Sequence, residues 1–150
     1  MTEIIIYHNP RCSKSRQTLQ LLQDSNITPE IILYLESPPT KNDLKNLLKK
    51  LGISARELLR NSEHAYKEAG LSDASLTENQ LLEAMIKEPK LIQRPIVVAG
   101  DNAVLGRPPE NVLELIKWTR PIFLYFTIHF MAQSQKWLRR LRGELSLLKG

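Results

Sequence analysis

Ile4-Ile5-Ile6-Tyr7-His8-Asn9-Pro10-Arg11-Cys12-Ser13-Lys14-Ser15-Arg16 decides the fold. Three consecutive isoleucines make a short β-branched run, the pattern of a buried strand, and the strand reads from Glu3 to Tyr7. His8-Asn9-Pro10-Arg11 breaks it. A helix follows from Ser13, with Leu19, Leu22 and Ser25 along one face and Leu21 beside it. Glu30 to Tyr34 is a second β-branched strand. Strand, loop, helix, strand is the unit that makes parallel pairing, so the chain opens as an α/β protein.

Beyond it, Pro38-Pro39 punctuates and Thr40 begins a helix. Thr40 with Asp43 resembles a capping box, with Asp in place of Glu or Gln. Leu44, Leu47, Leu48 and Leu51 carry the apolar face, and Gly52 is a natural stop. Ser54 with Glu57 repeats the pattern and opens a short helix that reads through Arg60. A further helix is expected over Glu63–Ala69, closed by Gly70, and Thr77 caps another that runs to Lys87. Ile96-Val97-Val98-Ala99 and Ala103-Val104-Leu105 flank the turn residues Gly100-Asp101-Asn102, which predicts a hairpin. Pro109 reads as the first residue of a last helix, Glu110 to Ile116.

At 150 residues the chain suits one hydrophobic core, and 42% hydrophobic with 25% charged residues is globular usage. A single Cys excludes a disulfide framework and a Cys-rich zinc site, and a lone thiol fits a reducing compartment. With no secretory leader pattern at Met1-Thr2-Glu3 and no apolar run of about 20 residues, a cytoplasmic location is expected. The net charge of +5 is unevenly spread: residues 117–150 hold seven of the 21 Lys and Arg but one of the 16 Asp and Glu. The body before them is close to neutral, so no nucleic-acid partner is expected. Six of the nine aromatics, including both Trp and all three Phe, also fall in residues 117–150, which marks a boundary near Ile116.

Cys12 stands where a strand hands over to a helix. Unpaired N–H groups and the helix dipole at such a start favour a thiolate. His8, Arg11, Lys14 and Arg16 crowd the same stretch and would add positive potential. Cys12-Ser13-Lys14-Ser15 has the frame of Cys-x-x-Cys with Ser in the resolving position, so an intramolecular disulfide is impossible and a resolving thiol must come from outside. A phosphate loop, a dinucleotide fingerprint and a zinc-protease motif are all lacking, and His8, His64 and His129 have no ligand spacing. Arg60, Arg94 and Arg107 would form a forked-donor site for a tetrahedral oxyanion if they converged on the thiolate, which their spacing does not show. Arg56 reads as a surface arginine.

Tyr7-His8-Asn9-Pro10-Arg11-Cys12-Ser13-Lys14-Ser15-Arg16 resembles the active-site loop of the glutaredoxin-coupled arsenate reductases, the ArsC family. Tyr34-Leu35-Glu36-Ser37-Pro38-Pro39, Ala55-Arg56-Glu57-Leu58-Leu59-Arg60, Gln93-Arg94-Pro95-Ile96-Val97-Val98 and Gly106-Arg107-Pro108-Pro109-Glu110 are similar to further family blocks, in order over residues 4–116. The resemblance implies a thioredoxin-like fold with an inserted helical subdomain over residues 1–116. It implies Cys12 as nucleophile, His8 as the histidine that helps to depress the thiol pKa, and Ser15 as a serine supporting the thiolate. It also implies Arg60, Arg94 and Arg107 around the oxyanion, and Pro95 as a cis-proline beside the site. The implied reaction reduces arsenate to arsenite with no bound cofactor, glutathione as co-substrate and glutaredoxin as electron donor.

Residues 117–150 form a C-terminal extension outside the family pattern. Trp137, Leu138, Leu141, Leu145 and Leu148 would share a helical face, with Arg139, Arg140 and Arg142 displaced from it. That pattern is compatible with a membrane surface or a partner groove; an extension without a function of its own is the reading preferred. Two rival functions share the fold. Spx-type RNA-polymerase-binding regulators carry an Arg-Pro-Ile segment but usually a Cys-x-x-Cys switch, where this chain has Ser15. A glutathione-dependent thiol oxidoreductase without arsenate activity is the other.

Overall fold

The computed structural model describes residues 3–117. The expectations for the extension, its basic amphipathic face included, lie outside those residues. The described elements are β1 (Ile4–His8), α1 (Ser13–Asp24), β2 (Glu30–Leu33), α2 (Lys41–Leu51), α3 (Ala55–Leu58), α4 (His64–Glu68), α5 (Glu78–Lys87), β3 (Ile96–Ala99), β4 (Asn102–Leu105) and α6 (Asn111–Lys117), with a 3-10 turn at Pro89–Leu91 before β3.

The sheet order is β2-β1-β3-β4. β1 pairs parallel with β2, as the opening strand–helix–strand unit predicts, and antiparallel with β3; β3 and β4 form the expected hairpin. Alternation along the strands separates two apolar layers. Ile4, Ile6, Val97 and Ala99 pack with Leu22, Val112, Leu115 and Ile116 of α1 and α6. On the other face, Ile96 and Val98 pack with Tyr34 and with Leu44, Leu58, Leu82 and Met85 of the helical segment between β2 and β3. Each Val, Leu, Ile or Met side chain among them, once buried, contributes roughly 1.5–3 kcal/mol. This is the thioredoxin-like α/β architecture with its helical insertion.

The caps follow the sequence. Thr40 with Asp43, Ser54 with Glu57 and Thr77 with Gln80 each form both bonds of a capping box. Gly52 closes α2 in the left-handed region at φ 67°, which costs glycine nothing. Three expectations need correction. Arg60 does not end a helix: α3 stops at Leu58, Leu59 turns extended and bridges to Ile92, and the Arg60 N–H donates to the Leu91 carbonyl at 2.8 Å. Pro109 is not helical: the carbonyls of Pro108 and Pro109 accept from Asn111 and Val112 in a turn before α6. Arg56 is half-buried, and its two Nη groups donate to the carbonyls of Leu71 and Asp73, both at 2.9 Å, tying the insertion together.

Gly106 joins β4 to the last helix. A Cβ there would stand 2.5 Å from Thr18 Oγ1 and 2.7 Å from Pro95 Cγ, closer than atoms can pack, so only glycine lets α1 meet the Arg94–Pro95 segment. That contact holds the middle of α1, at Thr18, against the Pro95 segment that leads into β3.

Candidate active site

Cys12 is the last residue before α1, with extended backbone at φ −94° and ψ 121°. Its N–H donates to the Asn9 carbonyl at 3.0 Å, and Asn9 Oδ1 accepts from the Arg11 N–H at 2.9 Å. Arg16 Nη1 reaches back to the Pro10 carbonyl at 2.8 Å. The loop is therefore closed by its own residues, and the half-buried sulfur is presented at the helix start.

Burial pushes the Cys12 thiol up, but the Ser15 N–H, the Arg94 guanidinium and the Lys14 N–H favour the thiolate, and the balance lies below the ordinary thiol value. The thiol does not close a side-chain cap bond as Thr40 does, so these donors act on it as a nearby field ready for negative charge.

His8 is almost wholly buried, and its Nδ1 lies 2.8 Å from Ser15 Oγ. Ser15 Oγ also accepts from the Asn9 N–H at 3.0 Å. Nδ1 is the remaining partner of the buried hydroxyl, so we assign Ser15 as donor to it and the ring proton to Nε2. Burial, with Arg16 nearby, holds the His8 pKa below its ordinary value. That direction favours the neutral ring and works against the positive potential expected of His8, whose contact toward the Cys12 loop is the one with Ser15. Ser15 in turn offers the sulfur its backbone N–H, while its hydroxyl is engaged with His8 and Asn9.

The insertion brings in the arginines. The Leu59–Ile92 bridge sets Arg60 beside the segment that carries Arg94. Both guanidinium groups meet one carboxylate oxygen, Glu63 Oε1: Arg60 through Nη1, and Arg94 through Nη2 at 3.6 Å. Arg94 also faces Cys12. Arg107 Nε donates to the Arg94 carbonyl at 3.0 Å, and among the described residues its Nη groups meet no acceptor. Two of the three expected arginines thus converge through Glu63, and the third is attached to the backbone of one of them. The Arg94–Pro95 bond is cis, as is Arg107–Pro108.

Two residues here carried no role in the sequence reading. Glu63 had a faint signal, its i,i+3 spacing from Arg60. Tyr34 is 1% exposed; burial raises its pKa against the opposing pull of Arg94 and Arg60. Its hydroxyl and Arg94 Nε are buried without a hydrogen bond of normal geometry, so polar capacity is left over beside the thiol. Among the described residues no cluster could hold a metal ion, and no helix is long and apolar enough to cross a membrane. The site assembles a thiol biased toward thiolate, helix-start N–H groups and arginine donors, the parts needed to place an anionic electrophile before a sulfur nucleophile.

The ArsC family model matches residues 7–115. The chain is 56% identical over 115 residues to the uncharacterized protein YfgD of Escherichia coli K12, covering 76% of this chain and 97% of that one. It is 46% identical over 114 residues to an arsenate reductase of Haemophilus influenzae, covering 75% and 98%. The solved arsenate reductase from Vibrio cholerae superposes with a TM-score of 0.74 at 49% identity, over 75% of this chain and 97% of that one.

Proposed function

The chain belongs to the ArsC family, and from that premise we propose that it reduces arsenate to arsenite, with Cys12 as the single nucleophile and glutathione and glutaredoxin as electron donors. The observation that carries the reading is the meeting of Cys12 with Arg94, itself joined to Arg60 through Glu63. Arsenate docks against the arginines and the start of α1. The Cys12 thiolate attacks arsenic, a sulfur–arsenic bond forms, and one oxygen leaves as water. Glutathione displaces a second oxygen as water. A glutaredoxin thiolate then attacks the glutathione sulfur, and the electron pair of the broken sulfur–arsenic bond reduces arsenic from the pentavalent to the trivalent state. Water releases arsenite and restores Cys12. The chain's one cysteine agrees with resolving thiols supplied in trans.

In this reading Arg60, Arg94 and Arg107 hold the oxyanion, and Ser15 and His8 fix the loop that presents the sulfur. Residues 1–116 carry the activity in a reducing, cytoplasmic setting, without a bound cofactor. The test couples NADPH oxidation to arsenate through glutathione reductase, glutathione and glutaredoxin. Arsenate-dependent turnover that Cys12→Ser abolishes is expected. Turnover of glutathione mixed disulfides with none of arsenate would overturn the proposal in favour of a thiol oxidoreductase.

A further inference from the structure

We infer that Glu63 is a specificity-determining residue: its carboxylate is an internal counter-ion held between Arg60 and Arg94, and an oxyanion must compete with it to reach Cys12. Glu63 stands at the residue before α4, where a side chain ordinarily turns back to cap the helix, yet it makes no cap bond. Instead one of its oxygens meets both guanidinium groups. Its position is set locally, because the Glu63 N–H donates to the Arg60 carbonyl at 3.3 Å. The three side chains are only 14%, 14% and 25% exposed, so their charges are incompletely screened.

The consequence is electrostatic competition. Two arginines and one carboxylate leave one net positive charge where a dianion must sit beside a thiolate. A tetrahedral oxyanion that takes both guanidinium groups displaces Glu63 toward solvent. One that leaves Glu63 in place meets its negative charge at close range. Either way the carboxylate weakens binding of divalent oxyanions as a class, so its effect falls on KM more than on kcat.

The inference rests on the oxyanion reading of this site but not on turnover of arsenate, and the experiment separates the two. Inorganic phosphate is the probe, read as protection of Cys12 from iodoacetamide, with arsenate KM and kcat measured in parallel. Glu63→Gln keeps the shape and an acceptor while removing the charge. It should lower the half-protecting phosphate concentration and the arsenate KM about tenfold, with kcat within about threefold of the parent. Glu63→Asp, which draws the carboxylate back by one methylene, should shift both in the same direction by less. Unchanged or weaker protection in a folded Glu63→Gln overturns the inference. If that variant does not fold, protection in Glu63→Asp no tighter than in the parent overturns it. Arsenate turnover with unaltered KM in the variants removes the role of Glu63 and leaves the reductase reading standing. Tighter phosphate protection without arsenate turnover in any protein does the reverse.

Discussion

Ser15→Ala removes one oxygen atom and disconnects the loop that presents the thiol. Ser15 is fully buried, and its Oγ joins the Asn9 N–H at 3.0 Å to His8 Nδ1 at 2.8 Å. Alanine fills the same backbone position but leaves both partners buried and unpaired. A buried polar group stripped of its partner costs about 1–3 kcal/mol, and the two losses share one atom, so about 2–4 kcal/mol of stability should go. For a domain of this size that lowers Tm by on the order of 10 °C. The same substitution frees Asn9, whose carbonyl holds the Cys12 N–H, so the amides facing the sulfur lose their alignment. Alkylation of Cys12 at pH 7 should slow about tenfold, the equivalent of roughly 1.4 kcal/mol. Urea unfolding followed by circular dichroism reads the first effect and iodoacetamide kinetics the second. Ser13→Ala, at an exposed position on the same turn, should stay within about 0.5 kcal/mol. A Ser15→Ala protein within that margin, alkylated at the parent rate, would refute the view that His8 acts through Ser15.

Arg60→Lys, Arg94→Lys and Arg107→Lys should each lower kcat/KM for arsenate about tenfold or more, because a lost charged hydrogen bond is worth roughly 1.5–3 kcal/mol and Lys cannot reproduce the fork. Arg56→Lys should show the opposite split, a lower unfolding midpoint with unchanged KM, since its bonds go to Leu71 and Asp73 and not to the site. Gly106→Ala should cost about 1–3 kcal/mol in denaturant titration, because the new methyl collides with Thr18 and Pro95. Stability should also fall on acidification through the histidine range. The folded pKa of His8 lies below its ordinary 6.5, so the unfolded chain binds the proton first. Its contribution is full above about pH 6.5 and drains away as pH falls through the folded value; His8→Gln should flatten that slope in urea titrations from pH 7 to pH 5.

What could be read from the sequence was local. The isoleucine run, the thiol at a helix start, the capping pairs and the hairpin turn are patterns of neighbours along the chain, and each appears in the structure, the turn shortened to Gly100-Asp101 because Asn102 already pairs with Ala99 in β4. The family resemblance added Arg60, Arg94 and Arg107 as a set. What could not be read depends on contacts between distant segments. Arg60 reads as a helix end because the Leu59–Ile92 bridge that pulls it out of α3 spans the insertion. Glu63 is one more surface acid until Arg94 arrives from the far side of that bridge. His8 counts as a positive neighbour of Cys12 until burial, a tertiary property, is seen to lower its pKa and disfavour the charged ring.

The capping boxes of α2, α3 and α5 have a counterpart in what α1 lacks. Those three helices are sealed at their starts by neutral hydroxyls and short acidic or amide side chains, permanent fixtures of the covalent chain. α1 begins at a sulfur whose ability to hold the Lys14 and Ser15 N–H groups depends on its charge. The unfolded chain keeps the thiol proton to a higher pH than the folded one, so the stabilisation is complete above the ordinary thiol pKa and disappears on protonation or alkylation. Melting temperature thereby becomes a gauge of the chemical form of a single atom. A chain whose sulfur is free to ionise and one whose sulfur is blocked then melt at different temperatures above the thiol pKa, and the gap between them closes on acidification.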